Sequence, residues 1–282
     1  MVSVLGFGAG HIGTSDLDER RVSFLLNTVL DLGINLIDTA RSYGESENRI
    51  GRHLSYRRHE FILSTKVGYT NGHYPDWSYE ATMGSVEESL ERLKTDHLDI
   101  VHLHSCDLSV LRQGDAILAL ERAREQGKIR IIAYSGENEA LEHAIASGRF
   151  GSIQCSASLF DQHGIDHHIR HARESGLGVI AKRPLGNAVW RYDSRPDGHG
   201  HALYYDRYRT MALDPCTSGW EELALRFAAF STGTSCLITG TSDPEHLTSN
   251  LKYVEKGSLD EETVLRIRWA FETRVQDNRG LI

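Results

Sequence analysis

Four side chains of the kinds that move protons stand out in this 282-residue chain: Asp38, Tyr43, Lys66 and His104. Asp38 closes the β-rich run 34–38 (INLID), Lys66 lies near the end of 61–67 (FILSTKV), and His104 ends 98–104 (LDIVHLH). Tyr43 follows Asp38 in the adjoining loop. A tyrosine hydroxyl has an ordinary pKa near 10 and is a poor acid at neutral pH. A neighbouring ammonium stabilises the phenolate and brings that value down, each unit being worth about 1.36 kcal/mol. A buried lysine tends to lose its proton unless a carboxylate holds it charged, a part open to Asp38 beside Lys66. A histidine Nε2–H could hold a carbonyl oxygen beside the tyrosine. Such a cluster can deliver a proton to that oxygen while another reagent attacks the carbon.

The cluster forms only if the elements carrying it lie side by side. Eight short β-rich runs recur, at 2–8, 34–38, 61–67, 98–104, 129–135, 152–156, 178–183 and 236–240. Stretches of helical period lie at about 17–32, 46–54, 79–94, 109–126, 138–147, 164–175, 219–231 and 243–255, with a last one at about 259–275. Consecutive strands joined by crossover helices must be parallel. Eight such units predict an α/β fold, a (β/α)8 TIM barrel occupying 1–282 as a single domain. An open doubly wound sheet shows the same alternation; the count of eight favours the barrel. Ser78, Asp115 and Ser242 stand near helix starts, and Pro244 suits a first turn. Gly127, Gly148 and Gly176 follow helix ends. The stretch 186–218 reads as a long loop, and its Trp190, Tyr192, Tyr204, Tyr205 and Tyr208 point to a cover over the site.

Composition narrows the class. With 31 Lys and Arg against 39 Asp and Glu, the formal charge of −8 argues against nucleic-acid binding. Hydrophobic residues at 40% exclude disorder over most of the chain. No apolar run reaches the length of a membrane span. Residues 1–10 lack the basic start and long apolar core of a secretory signal. Cys106, Cys155, Cys216 and Cys236 are far apart and form no CxxC pair, as expected of reduced thiols in a cytoplasmic protein.

Gly8 to Gly13 (GAGHIG) matches the pattern GxGxxG. A dinucleotide-binding Rossmann unit needs a helix opening inside the motif. Here Thr14 to Glu19 intervenes and brings carboxylates where a pyrophosphate needs positive potential. A backbone lying close to a ligand at the mouth of the first strand is the better reading.

The segment 33–44 (GINLIDTARSYG) resembles the signature of the aldo-keto reductases. Glu47 to Gly51 (ENRIG), Ser64-Thr65-Lys66, Leu98-Asp99-Ile100 leading to His104, Gln154, and Gly240-Thr241-Ser242 through Asn250-Leu251 are similar to further family patterns, in the same order along nearly the whole chain. The resemblance implies an NAD(P)-dependent oxidoreductase that reduces an aldehyde or ketone reversibly. Tyr43 would be the general acid, Asp38 and Lys66 the pair that tunes it, and His104 the group that orients the carbonyl. Hydride would come from a nicotinamide across the barrel mouth, its carboxamide at Ser135 and Gln154. Gly8, Lys182 and Arg183 would border it, and Gly240, Thr241, Ser242, His246 and Asn250 would hold the adenosine phosphate. NADPH is the implied cofactor, with NADH as the alternative. The chain departs from the family at Gly136, where Asn is usual, and at Lys182-Arg183, where many members carry an aromatic that stacks on the nicotinamide. At Gly240 and His246 basic residues are common in the family. The chain also begins directly at its first strand, without the usual N-terminal hairpin.

Other readings compete. His102 and His104 point to one face of their strand and could hold a metal ion in a barrel hydrolase. That chemistry needs further ligands, and strands five, six and eight end in Ser135, Ser156 and Gly240, so no metal is expected. A nucleotide-binding regulatory subunit of the same superfamily is the second alternative. Lys182 could form a Schiff base, which would leave Tyr43 unexplained. His163, His167 and His171 recur at helical spacing beside His168 and read as a solvated face, and His199 and His201 read as loop. The expected partner is a small carbonyl or alcohol, with Tyr74, Trp77 and Trp190 as candidates for the pocket wall. Nucleic acid and membrane are not expected partners, and oligomeric state leaves no mark.

Overall fold

Branched residues alternate with small or polar ones in the β-rich runs, and in the computed structural model these runs become parallel strands. The structure describes residues 1–69, 72–215, 219–277 and 279–281. The strands are β1 (Leu5–Gly8), β2 (Leu36–Asp38), β3 (Ile62–Val67), β4 (Leu98–His104), β5 (Ile129–Ser135), β6 (Ser152–Ser156), β7 (Gly178–Lys182) and β8 (Cys236–Thr239). Each pairs with the next, and β8 returns to β1 through Phe7 opposite Thr239, closing the barrel. Closure leaves no sheet edge and selects the TIM barrel over the open doubly wound sheet.

Side chains on a strand alternate between faces, so inward positions recur every second residue. Leu36, Ile100, Ala133, Ile180 and Cys236 form an apolar plug inside the barrel. Two residues further along the same strands stand Asp38, His102, Ser135 and Lys182. One periodicity thus carries each strand from an apolar floor to a polar rim. The register sets the rim laterally: Asp38 lies opposite Ser64, Lys66 opposite His102, His104 opposite Ser135, and Ser135 opposite Gln154.

The helices are α1 (Glu19–Asp31), α2 (Ser46–Leu54), α3 (Tyr79–Leu93), α4 (Leu108–Gln113), α5 (Asp115–Glu125), α6 (Asn138–Ala146), α7 (Arg170–Glu174), α8 (His199–Met211), α9 (Trp220–Phe230), α10 (Pro244–Glu255) and α11 (Glu261–Arg274). Ser78 caps α3 by accepting from the Ala81 amide. The cap of α10 is Asp243, which accepts from the Glu245 amide, and Ser242 stands just outside it. Asp115 is the first residue of α5, behind Gly114. Gly114 has φ +86° and divides the single helix expected over 109–126 into α4 and α5.

The stretch 186–218 is not one loop. It opens with a 3-10 segment, Gly186–Arg191, and continues into α8; residues 216–218 lie outside the described structure. Gly198 and Gly200 around His199 read as breakers, yet they form the start of α8. Tyr204 and Met211 of α8 are buried, while Tyr208 meets Phe160 and Trp220 edge-on. His199 and His201 therefore belong to a first helical turn. The 164–175 helix begins as a π turn, Ile165–Ile169, before α7. His167 and His171 are exposed and His163 half-buried, as a solvated face requires, whereas His168 is buried beside His163, 5.8 Å between ring centroids. Cys106, Cys155 and Cys236 are buried and free, and Cys216 lies outside the described residues. Among the described residues, no helix is long and apolar enough to cross a membrane.

Candidate functional site

Asp38 and Lys66 meet inside the barrel mouth, both almost wholly buried. Lys66 Nζ donates to Asp38 Oδ2 at 2.5 Å and to the Thr39 carbonyl at 2.8 Å. Asp38 Oδ1 accepts from Ser64 Oγ at 2.8 Å and from Gln154 Nε2 at 2.9 Å. Burial works against both charges, but each is the other's remedy. Desolvation pulls the lysine down, and Asp38 and then Tyr43 more than restore it, so its pKa lies above the ordinary value. Desolvation pushes Asp38 up, and Lys66, His102 and the hydrogen bonds bring it below the ordinary carboxylate value. The site holds a permanent ion pair at neutral pH.

Tyr43 stands over this pair, its ring centroid 5.0 Å from Lys66 Nζ. A tight turn places it: Tyr43 N–H donates to the Ala40 carbonyl, and Ser46 N–H donates to the Tyr43 carbonyl. Gly13 lies so close that a Cβ there would run into the Tyr43 carbonyl, and Gly10 lies against the Tyr43 ring. The GxGxxG run thus lets the β1 loop pack against the tyrosine turn. His104 presents its ring edge-on to Tyr43 with centroids 5.6 Å apart. Burial, then the Lys66 and Lys182 cations, push its pKa down to about 3, so the ring is neutral. Ser42 Oγ lies 3.4 Å from His104 Nδ1. With that hydroxyl as donor, the proton of the neutral ring sits on Nε2.

His102 is deeper. Its Nε2 lies 3.1 Å from Ser64 Oγ, and burial brings its pKa to about 4. The two β4 histidines therefore serve different neighbours. Among the described residues, no three His, Cys, Asp or Glu side chains converge as a metal site.

A cleft of about 750 Å³ runs from Tyr43 and His104 across the barrel mouth to the start of α10. Every candidate for catalysis and cofactor binding lines it: besides the four above, Gly8, Ser135, Gln154, Lys182, Arg183, Gly240, Thr241, Ser242, His246 and Asn250. Ser135 Oγ donates to Gln154 Oε1 at 3.1 Å while the Gln154 amide donates to Asp38, so that amide is locked between two strands. At Gly136 a Cβ would stand 2.6 Å from Tyr134 ring carbons, and the Tyr134 hydroxyl is held by the Cys106 carbonyl. Tyr134 thus occupies the space an asparagine would need. Thr241 Oγ1 lies 3.2 Å from His246 Nδ1 and accepts from the Asp243 amide. This hydroxyl-rich turn at a helix N-terminus has the donor chemistry of a phosphate site.

Some lining residues escaped sequence reasoning. His11, Arg191, Glu221 and Tyr253 also face the cleft. Glu137, directly after the β5 terminus, lies 3.2 Å from Lys182 Nζ; its position two residues past Ser135 was the available signal. Of the expected aromatics, Trp77 packs on Tyr69, which meets His104 edge-on. Trp190 stacks on Trp220 away from the cleft, and Tyr74 is exposed and is not among its lining residues.

A model of the Aldo/keto reductase family matches residues 4–271. The chain belongs to the aldo/keto reductase family. L-galactose dehydrogenase of Arabidopsis thaliana is 27% identical over 96% of this chain and 91% of that protein. D-threo-aldose 1-dehydrogenase of a Pseudomonas species is 27% identical over 89% of each. Among solved structures, the holo form of aldo-keto reductase AKR11C1 from Bacillus halodurans superposes with a TM-score of 0.84 at 27% identity, covering 98% of this chain and 95% of that one. This aldo-keto reductase is thus an oxidoreductase, and its cleft lies where the barrel strands end, the usual place for chemistry in this architecture.

Proposed function

We propose that this aldo-keto reductase interconverts a small carbonyl compound and its alcohol with NADPH, or with NADH in its place. The observation that carries the reading is the Asp38–Lys66 pair beneath the Tyr43 ring with neutral His104 at its edge, all opening on one long cleft. The bound nicotinamide would supply hydride to the carbonyl carbon, or accept it in the reverse direction. His104 Nε2–H holds the substrate oxygen. The Tyr43 hydroxyl gives its proton to that oxygen, and the Lys66 ammonium stabilises the phenolate left behind. Asp38 keeps Lys66 charged. In oxidation, the Tyr43 phenolate takes the proton from the alcohol.

Ser135, Gln154, Lys182 and Arg183 would border the nicotinamide end, beside Gly8. Gly240, Thr241, Ser242, His246 and Asn250 would hold the phosphates and ribose. No Lys or Arg occurs between Gly240 and Asn250, and Asp243 stands in this segment. A 2′-phosphate is gripped best by fixed positive charge, so NADH should compete with NADPH. Asn187, Ala188 and Arg191, with His201 of α8, line the cleft, which supports a covering role for this segment. The aldose and galactose dehydrogenases among the relatives make sugars the first substrates to test.

Fluorescence titration with NADPH and NADH at one salt concentration, followed by a panel of aldoses and simple aldehydes, tests the proposal. Binding of at least one cofactor, with carbonyl-dependent oxidation of the reduced form, supports it. Binding without turnover on any substrate would favour a regulatory subunit, and binding of neither would sink the cofactor reading.

A further inference from the structure

The wall of the cleft opposite the Asp38–Lys66 pair is differently charged. Lys182 ends β7 and faces the cleft, with its Nζ 3.2 Å from Glu137 Oε1. Glu137 is buried behind it, is absent from the cleft lining, and accepts from the Ser156 amide at 2.7 Å. Arg183 follows, also facing the cleft. It has φ +55° and donates to Ser156 Oγ at 3.3 Å and to the Leu281 carbonyl at 2.5 Å. Lys182 thus pairs with a carboxylate turned away from the ligand space, while Arg183 is held by a hydroxyl and a carbonyl oxygen. Across the cleft, Lys66 is matched by Asp38. The β7 wall is left with a net positive face.

We propose that the Lys182–Glu137 pair biases the bound nicotinamide toward its reduced form and so favours hydride transfer from alcohol to cofactor within the bound complex. The inference rests on the cofactor reading above. The reacting carbon must lie within reach of Tyr43 and His104. Ser135, Gln154 and Lys182 line the same cleft at the β5–β7 termini and would border the hydride-carrying ring. The oxidised ring carries a positive charge and the reduced ring is neutral. An ammonium on this wall repels the first and leaves the second unaffected. Burial pulls the Lys182 pKa down, and Glu137 works against that loss. The bound oxidised cofactor would be the better hydride acceptor; an alcohol would give its carbinol hydride to the ring and its hydroxyl proton to the Tyr43 phenolate. The alcohol is oxidised and the cofactor reduced by the same two electrons. With Glu137 screening part of the charge, a preference of about tenfold for the reduced form is the expected scale. About tenfold corresponds to a rise of roughly 30 mV in the potential of the bound two-electron couple.

The test is the ratio of dissociation constants for oxidised and reduced cofactor. The reduced form is measured by its own fluorescence and the oxidised form by displacement. Wild type should hold the reduced form about tenfold more tightly. Lys182→Met should shrink that ratio at least about fivefold, chiefly by tightening the oxidised form, and Lys182→Arg should preserve it. Lys182→Met leaves Glu137 without its lysine, so Lys182→Met/Glu137→Gln is the companion variant, free of an unpaired carboxylate, and should shrink the ratio too. An unchanged ratio in whichever of these two variants folds and binds both forms overturns the proposal while leaving the cofactor reading intact. If wild type binds neither form, the cofactor reading falls and this inference with it.

Discussion

At the residue scale, Asp38 is the hub of the site. It accepts from Lys66 and Ser64 on the neighbouring strand β3 and from Gln154 on β6 across the barrel. Tyr43→Phe keeps the ring and removes the proton, so kcat should fall by roughly 10²–10⁴-fold with cofactor affinity unchanged. Steady-state kinetics beside a binding titration check this, and an unaltered kcat would remove Tyr43 from the mechanism. Lys66→Met leaves a buried carboxylate without its counter-ion and should cost about 3–5 kcal/mol of stability, read by urea unfolding, together with activity. Adding Asp38→Asn should restore most of the stability and none of the activity. If the double variant regained turnover, the lysine would be structural only.

At the element scale, the tyrosine turn depends on two segments. The β1 loop approaches it through Gly10 and Gly13, and α2 ties it to β3 through Glu47, whose Oε1 accepts from Thr65 Oγ1 at 2.6 Å. Gly13→Ala places a methyl group against the Tyr43 carbonyl. The turn must shift, and kcat should drop at least about tenfold in a protein whose circular dichroism is unchanged, since misplacement of a catalytic group by about 1 Å can cost 10²-fold. Normal kinetics in that variant would show that the turn has slack. The GxGxxG run was thus legible as a backbone lying close to something. That its neighbour includes the tyrosine turn itself was not, because Gly13 and Tyr43 meet only after α1 and β2 have folded back. The helix α8 was illegible for a local reason: glycines at its start mimic a loop, and its buried aromatics give no one-sided pattern.

At the scale of the whole molecule, burial tunes several protons together. His102 and His104 are held by desolvation at about 4 and about 3, against 6.5 in an unfolded chain. The unfolded state takes up these protons first as pH falls, so both histidines withdraw stability from about pH 6.5 downward. Asp161, pushed up to about 7 by burial and then by Glu137, acts oppositely: its contribution is present in acid and is lost as pH rises through 7. Between about pH 4 and 6.5 the buried histidines, joined by His163 and His168, which burial also lowers, oppose Asp161 and Glu47, whose carboxyls burial raises, and the depressed pKa of Asp38 adds to the loss in acid. Stability should therefore fall on acidification by about 1.4 kcal/mol per pH unit or more. His102→Gln should flatten that slope by up to about the same amount, read from urea unfolding between pH 4 and 7. An identical slope would mean that His102 is not a buried neutral group.

The order of the eight strands, the (β/α)8 class and the residues at the strand termini were legible in the chain itself, whereas α8 and the break between α4 and α5 were not. They follow from short-range patterns: a period of two along strands, punctuation at helix ends, and a signature confined to adjacent residues. Closure of the barrel, the lock of Gln154 onto Asp38, the pairing of Glu137 with Lys182 and the seating of Leu281 on Arg183 were decided only by the tertiary structure. Gln154 and Asp38 are 116 residues apart, and no local pattern encodes a contact of that span. The proton affinities of the site belong to the same class. They depend on how much water eight strands and their loops jointly exclude, which no single segment determines.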